Sequence, residues 1–180
     1  MLELWRRGGL AGRVVLRGGW LREFPGRALL PHRGVRRYLR DPRIRPGPVR
    51  GSHGIAWDGD ALLYVADRGN RRIQAFGLNG TFEFAWTADE LGRPYGIDVA
   101  PSGELDVIDG GDLPATGPDR SRVVILSPEG GIRATFGAFG SQDGQFRLGH
   151  DVAVGDDGRI YVVDAWGRRV QKFVGATFHE

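Results

Sequence analysis

His53 and His150 lead two distant stretches of one design, HGIAWDGDALLYVADRGNRRIQAF and HDVAVGDDGRIYVVDAWGRRVQKF. A neutral imidazole binds metals, and its protonation changes near neutral pH, so a repeated one poses a choice between chemistry and a mere repeat marker. The plain alternative is a polar side chain facing a water-filled channel. The chain contains no cysteine, which removes disulfides and thiolate metal sites. Any metal must therefore use imidazole, carboxylate or carbonyl oxygen. An aspartate stands fourteen positions after each leading residue: Asp67 after His53, Asp109 after Tyr95 and Asp164 after His150. These aspartates recur whether or not a histidine leads, so they read as structural groups that bond turn amides.

The elements behind this spacing emerge from three self-similar segments, HGIAWDGDALLYVAD, YGIDVAPSGELDVID and HDVAVGDDGRIYVVD. Each reads as an alternating strand, a tight turn at Asp58-Gly59, Ser102-Gly103 or Asp157-Gly158, and a second strand rich in branched and aromatic residues. A third strand follows as RIQAF, RVVIL or RVQKF. The first two copies add a fourth, TFEFAW and IRATFG, whereas the third copy shows no obvious fourth strand. Four antiparallel strands in a unit of about forty residues is the period of a propeller blade. The expected fold is all-β, a β-propeller with blades near residues 53–86, 95–137 and 150–174 of a partial propeller domain, 51–180. GGDLPATGPDRS, in the second copy, reads as a surface loop, and Trp57, Trp86, Phe146, Tyr161 and Trp166 read as blade packing.

With 180 residues and 41% hydrophobic content the composition is globular. No stretch approaches eighteen apolar residues, and the apolar residues of MLELWRRGGLAGRVVL are broken by arginine and glycine, so a soluble, unexported chain is expected as written. The compartment itself is not legible. Residues 1–50 hold 13 arginines against three acidic residues, while residues 51–180 hold 12 basic against 19 acidic residues. A basic stretch binds phosphate non-specifically, but this one lacks aromatic runs and periodicity, and 24 of the 25 basic residues are arginine, a pattern of GC-rich coding. Residues 1–50 are read as an irregular Arg/Gly/Pro-rich segment foreign to the repeat, with GRVVLRGGWLREF its only strand material. No glycine-rich stretch has the strand-to-helix setting of a phosphate loop.

LLYVADRGNRRIQAF and GQFRLGHDVAVGDDGRIYVVDAWGRRVQKF resemble NHL repeats. The paired histidines narrow the resemblance to the six-bladed propeller of the peptidyl-alpha-hydroxyglycine alpha-amidating lyase family, over about residues 51–174. The resemblance implies a catalytic zinc at the top of a central channel, held by three histidines that open the inner strands of alternate blades. His53 and His150 match two of them, with Tyr95 on the blade between. It implies that Arg68 is an active-site arginine for an anionic part of the substrate, and that Asp151 joins backbone carbonyls in a structural calcium site. The family reaction cleaves a peptidyl-alpha-hydroxyglycine to a peptide amide and glyoxylate, so the implied partner is a peptide C-terminus or protein ligand.

The third histidine and an assisting tyrosine belong to blades upstream of His53, so the expectation is the C-terminal half of a larger ring, about three blades of six, inactive as given. His32, in ALLPHRGVRR, has a fitting lead-in but no strand-turn-strand unit after it and reads as a chance match. His179 is penultimate and reads as frayed. Three blades leave open edges and apolar faces, from which self-association is expected. A two-fold dimer would complete six blades but would set four histidines in the wrong arrangement for zinc. The alternative is a non-catalytic NHL scaffold for protein or RNA. The acidic balance of residues 51–180 argues against nucleic acid, although Arg71-Arg72 and Arg168-Arg169 offer local basic contacts.

Overall fold

The computed structural model describes residues 13–17, 20–24, 47–111 and 120–174. Alternation of apolar residues, punctuated by turns, gives three antiparallel sheets. Two strands, β1 (Arg13–Arg17) and β2 (Trp20–Phe24), precede the repeats. The first blade is β3 (Ile55–Trp57), β4 (Leu62–Asp67), β5 (Arg72–Gly77) and β6 (Phe82–Thr87), paired in chain order. The second is β7 (Pro94–Val99), β8 (Leu105–Asp109), β9 (Arg122–Leu126) and β10 (Ile132–Phe136), again in order. A short parallel pair, β11 (Ala138–Phe139) and β12 (Gln145–Phe146), carries the chain to the third blade: β13 (Gly149–Val154), β14 (Arg159–Asp164) and β15 (Arg169–Val174). The first hairpin turns early because the Asp58 carboxylate accepts the N–H groups of Asp60, Ala61 and Leu62 at 2.9 to 3.0 Å.

The third blade corrects one expectation, because it does have a fourth strand. β1 lies antiparallel to β15, with Arg13 opposite Phe173 and Leu16 opposite Val170, and β2 pairs with β1 as a fifth strand. The partner comes from the opposite end of the sequence, where no local pattern after residue 174 could reveal it. Two strands thus lie inside the segment read as irregular; most of that segment, His32 included, falls outside the described residues, as do His179 and the loop at 112–119.

The core forms two layers between blades. Tyr64, Ile73 and Trp86 of the first blade pack with Leu105, Val107 and Val124 of the second. On the other side Ile108 and Val123 pack with Phe146, Val162 and Phe173. Every residue of β8 is buried, because this central blade is covered on both faces. The end blades are not. Ile55, Ile97 and Val152 each stand two residues after the leading position of their copies; Ile97 is 4% exposed and Val152 is buried, whereas Ile55 is 65% exposed. At the other end, Ala66 and Ile108 are fully buried while their counterpart Val163 is exposed. Trp57 and Trp166 are also exposed, so they do not pack within a blade as expected, while Trp86 and Phe146 do. Trp57 lies on the face left uncovered at the start of the repeat array, which composition alone cannot distinguish from a covered one.

Candidate functional site

The three leading residues sit at the same end of neighbouring inner strands, and the recurring aspartates hold them there. His53 N–H donates to the Ala66 carbonyl (3.2 Å), and Ala66 N–H returns a bond to Gly54 (2.9 Å), which fixes the start of the inner strand against the end of β4. Asp67 is buried at that strand end and accepts from Arg50 N–H (2.8 Å), the Asn70 amide (2.8 Å), Arg72 Nε (2.7 Å) and Gln74 Nε2 (3.0 Å). Asp164 does the same in the third blade, accepting Arg147, Leu148 and Gly167 N–H at 2.9, 3.0 and 3.1 Å and Arg169 Nε at 3.1 Å. Asp109 accepts Arg93 and Gly111 N–H at 3.0 and 3.2 Å, but its cation, Arg122, stands back at 3.7 Å. The two carboxyls part accordingly. Burial pushes Asp67 up, but its hydrogen bonds and Arg72 outweigh burial and hold it below the usual range. For Asp109 burial wins and its carboxyl is raised. All three aspartates tie the segment entering a blade to the blade's second and third strands, as their recurrence suggested.

This framework brings His53, Tyr95 and His150 together. The ring centres of His53 and His150 are 5.6 Å apart and nearly perpendicular, at 84°. Tyr95 lies against both, at 4.5 Å from His53 and 5.2 Å from His150. Arg68 opens the short turn after Asp67, and its guanidinium carbon sits 4.3 Å from the centre of the Tyr95 ring. That turn is anchored by Gly69, whose N–H donates to the Arg50 carbonyl at 2.7 Å. A Cβ at Gly69 would fall 2.5 Å from that oxygen, so the anchor needs glycine. Of the four side chains, Tyr95 comes from β7, His150 from β13, His53 from the segment entering β3 and Arg68 from the turn after β4.

The electrostatics favour a neutral imidazole at His53. Partial desolvation is the largest influence on His53, followed by the charges of Arg68 and His150, and together they lower its pKa. Neutral imidazole is the form that ligates a metal. Two imidazoles sharing a tetrahedral ion have ring centres about 5 Å apart, given metal–nitrogen bonds near 2.0 Å. The observed separation is of that size. A catalytic zinc ordinarily has three protein ligands, however, and among the described residues no third histidine or carboxylate completes the set. Asp151 is exposed on β13; its Oδ1 accepts Val152 N–H at 3.0 Å and lies against Gly96, where a Cβ would come within 2.4 Å of it.

Tyr95 is the member that residue chemistry alone passed over. It carried the same offset to its aspartate as the two histidines, and that register was the signal of its place among them.

Comparison with known proteins agrees with this architecture. The NHL repeat model matches residues 148–173. Peptidyl-glycine alpha-amidating monooxygenase B of Xenopus laevis is 34% identical over 132 residues, which cover 72% of this chain and 15% of that protein. The A form from the same organism is 33% identical over 132 residues, covering 72% and 14%. Among solved structures, a streptogramin B lyase aligns with a TM-score of 0.54 at 13% identity, over 91% of this chain and 44% of that one. A gluconolactonase from Xanthomonas campestris gives a TM-score of 0.51 at 16% identity, over 72% and 39%. At those identities the structural likeness speaks for the fold alone. With its three blades, its matched repeat and these relatives, the chain is an NHL-repeat β-propeller protein, similar in sequence to the peptidyl-glycine alpha-amidating monooxygenases.

Proposed function

We propose that this rim is part of a lyase-type site for the hydroxylated C-terminus of a peptide, with His53 and His150 as two of three zinc ligands and Arg68 as the group that takes the substrate carboxylate. The observation that carries the reading is the convergence of two imidazoles from alternate blades, at 5.6 Å, with a guanidinium beside them. The reaction moves a proton from the α-hydroxyl to the departing nitrogen, forms the carbonyl of glyoxylate and breaks the carbon–nitrogen bond. Zinc, when bound, supplies a Lewis acid that eases loss of the hydroxyl proton. The chain's own residues do the rest of the holding: Arg68 orients the carboxylate, and the repeat aspartates fix the strands that carry the imidazoles. The chain spans 15% of the length of the amidating monooxygenase it matches, and the reading treats it as three blades of a six-bladed ring. The same reading takes Asp151 as the side-chain ligand of a structural calcium, whose addition then raises the melting temperature of the chain but not of Asp151→Asn.

Calorimetric titration of the full chain with zinc tests the reading, alongside assay of glyoxylate release from a peptidyl-alpha-hydroxyglycine. Uptake of one zinc, lost in both His53→Ala and His150→Ala, is the expected result. Little or no glyoxylate release is expected from this chain by itself, because the third ligand is not among the described residues. Zinc uptake indifferent to both substitutions overturns the proposal. The same shortage of a third ligand favours one other reading, a non-catalytic scaffold whose rim takes a protein or RNA ligand, and no zinc uptake at all selects it.

A further inference from the structure

We propose that Tyr95 is a positioning residue for Arg68: its ring is the platform that holds the guanidinium face-on beside the imidazoles and leaves the N–H edges of the cation for a carboxylate. The inference rests on the reading of Arg68 as the anion-holding group. An arginine side chain is long and freely rotating, and it presents a fork to a planar anion only if something fixes the plane of that fork. Among the described residues no carboxylate pairs with Arg68, and its Nε has no hydrogen-bond partner. What the guanidinium does meet is the Tyr95 ring, at 4.3 Å. A cation over the face of an aromatic ring is attracted by the ring's negative face, more strongly where water is excluded.

The platform itself is rigid. Tyr95 is only 6% exposed, and its ring lies against Gly110, where a Cβ would come within 2.3 Å of Tyr95 Cδ2 and 2.6 Å of the Gly149 carbonyl oxygen. Only a glycine lets the ring lie so close to the end of β8. The two imidazoles bear on the same ring at 4.5 and 5.2 Å, so one side chain of the second blade meets functional groups of the first and the third. An aliphatic residue at 95 would fill the space without offering a charged group anything to rest on.

Titration of the full chain with sodium glyoxylate at constant ionic strength, followed through the imidazole ring-proton signals, tests this role. Tyr95→Phe keeps the ring and is expected to bind as the parent chain does. Tyr95→Leu is expected to weaken binding roughly five- to tenfold, the loss that a partly buried cation–π contact gives. Arg68→Gln is expected to weaken it at least as far, and adding Tyr95→Leu to Arg68→Gln to weaken it no further, because the ring acts through the cation. Should Tyr95→Leu fail to fold by circular dichroism, Tyr95→Met carries the same test. Parent-like binding by the aliphatic variant, with Arg68→Gln impaired, removes the platform role and leaves the reading of Arg68 standing. Equal loss in Tyr95→Phe and Tyr95→Leu assigns the effect to the hydroxyl and also overturns the proposal. Parent-like binding by Arg68→Gln instead refutes the anion reading beneath it.

Discussion

Asp106 is a carboxyl group in the wrong place for a charge. It lies on β8 between the second and third blades, 2% exposed, opposite Asp98 on β7, and its Oδ1 has no hydrogen-bond partner. Asp98 is committed elsewhere, accepting Val154 N–H across the blade boundary at 2.7 Å. Burial first, then the charges of Glu104 and Asp98, push the Asp106 carboxyl up to about 7. Its folded value therefore lies above its unfolded one, so the folded state keeps the proton longer. That contribution to stability is fully present below about pH 4 and is lost as pH rises through about 7. Asp106→Asn should flatten the decline over this window and stabilise the protein at pH 8, by on the order of 4 kcal/mol at most. Urea unfolding at several pH values measures it, and an unchanged slope in the variant would refute the assignment. The sequence marks Asp106 only by register, since it stands where the other two copies carry Tyr64 and Tyr161, and nothing local shows that the position is buried. Its burial follows from the central blade being covered on both faces. That His53, His150 and Arg68 lie together was legible because they repeat or follow a repeating residue; the contact of Tyr95 with all three was not, because its chemistry departs from theirs while its position does not.

At the scale of the element, the aspartate at the end of each second strand is worth more than its charge suggests. Asp164 accepts three backbone N–H groups and the buried Arg169, so its loss strands all four donors at once. Asp164→Ala should cost about 3 kcal/mol, the low end for breaking a buried ion pair, because Arg169 keeps the Ser141, Gln142 and Gln145 carbonyls and Asp143 at 3.8 Å. Asp157, by contrast, pairs with Arg159 at the exposed tip of the β13–β14 hairpin, and Asp157→Ala should cost within about 1 kcal/mol. Chemical denaturation of the two variants separates the cases, and equal losses would show that the strand-end network is not what secures the blade. The three hairpins, the third strands and the identical aspartate offset were all readable from periodicity and turn chemistry. The fourth strand of the last blade was not, because strand pairing between distant segments leaves no local trace. Nor were Trp57 and Trp166 legible as exposed, since hydrophobicity records a preference and the neighbour that satisfies it lies elsewhere in the fold.

For the molecule as a whole, the two end faces are complementary by construction. The face carrying Ile55 and Trp57 is equivalent to the one that buries Ile97 on the second blade, and the face carrying Val163 is equivalent to the one that buries Ala66 and Ile108. Exposed apolar faces of this kind drive association. The isolated chain is expected to sediment above its monomer mass, and a double substitution, Ile55→Glu with Trp57→Glu, to return it to the monomer. A monomeric parent chain would show that these faces do not pair with each other. The sequence-distant fourth strand of the third blade has a separate bearing on how the protein folds. β1 precedes the first two blades in sequence and its partner β15 follows them, so those blades can close while that hydrogen-bonding edge stays bare. Closing so long a loop is entropically costly, so sealing of the final sheet is expected to be the late step of folding.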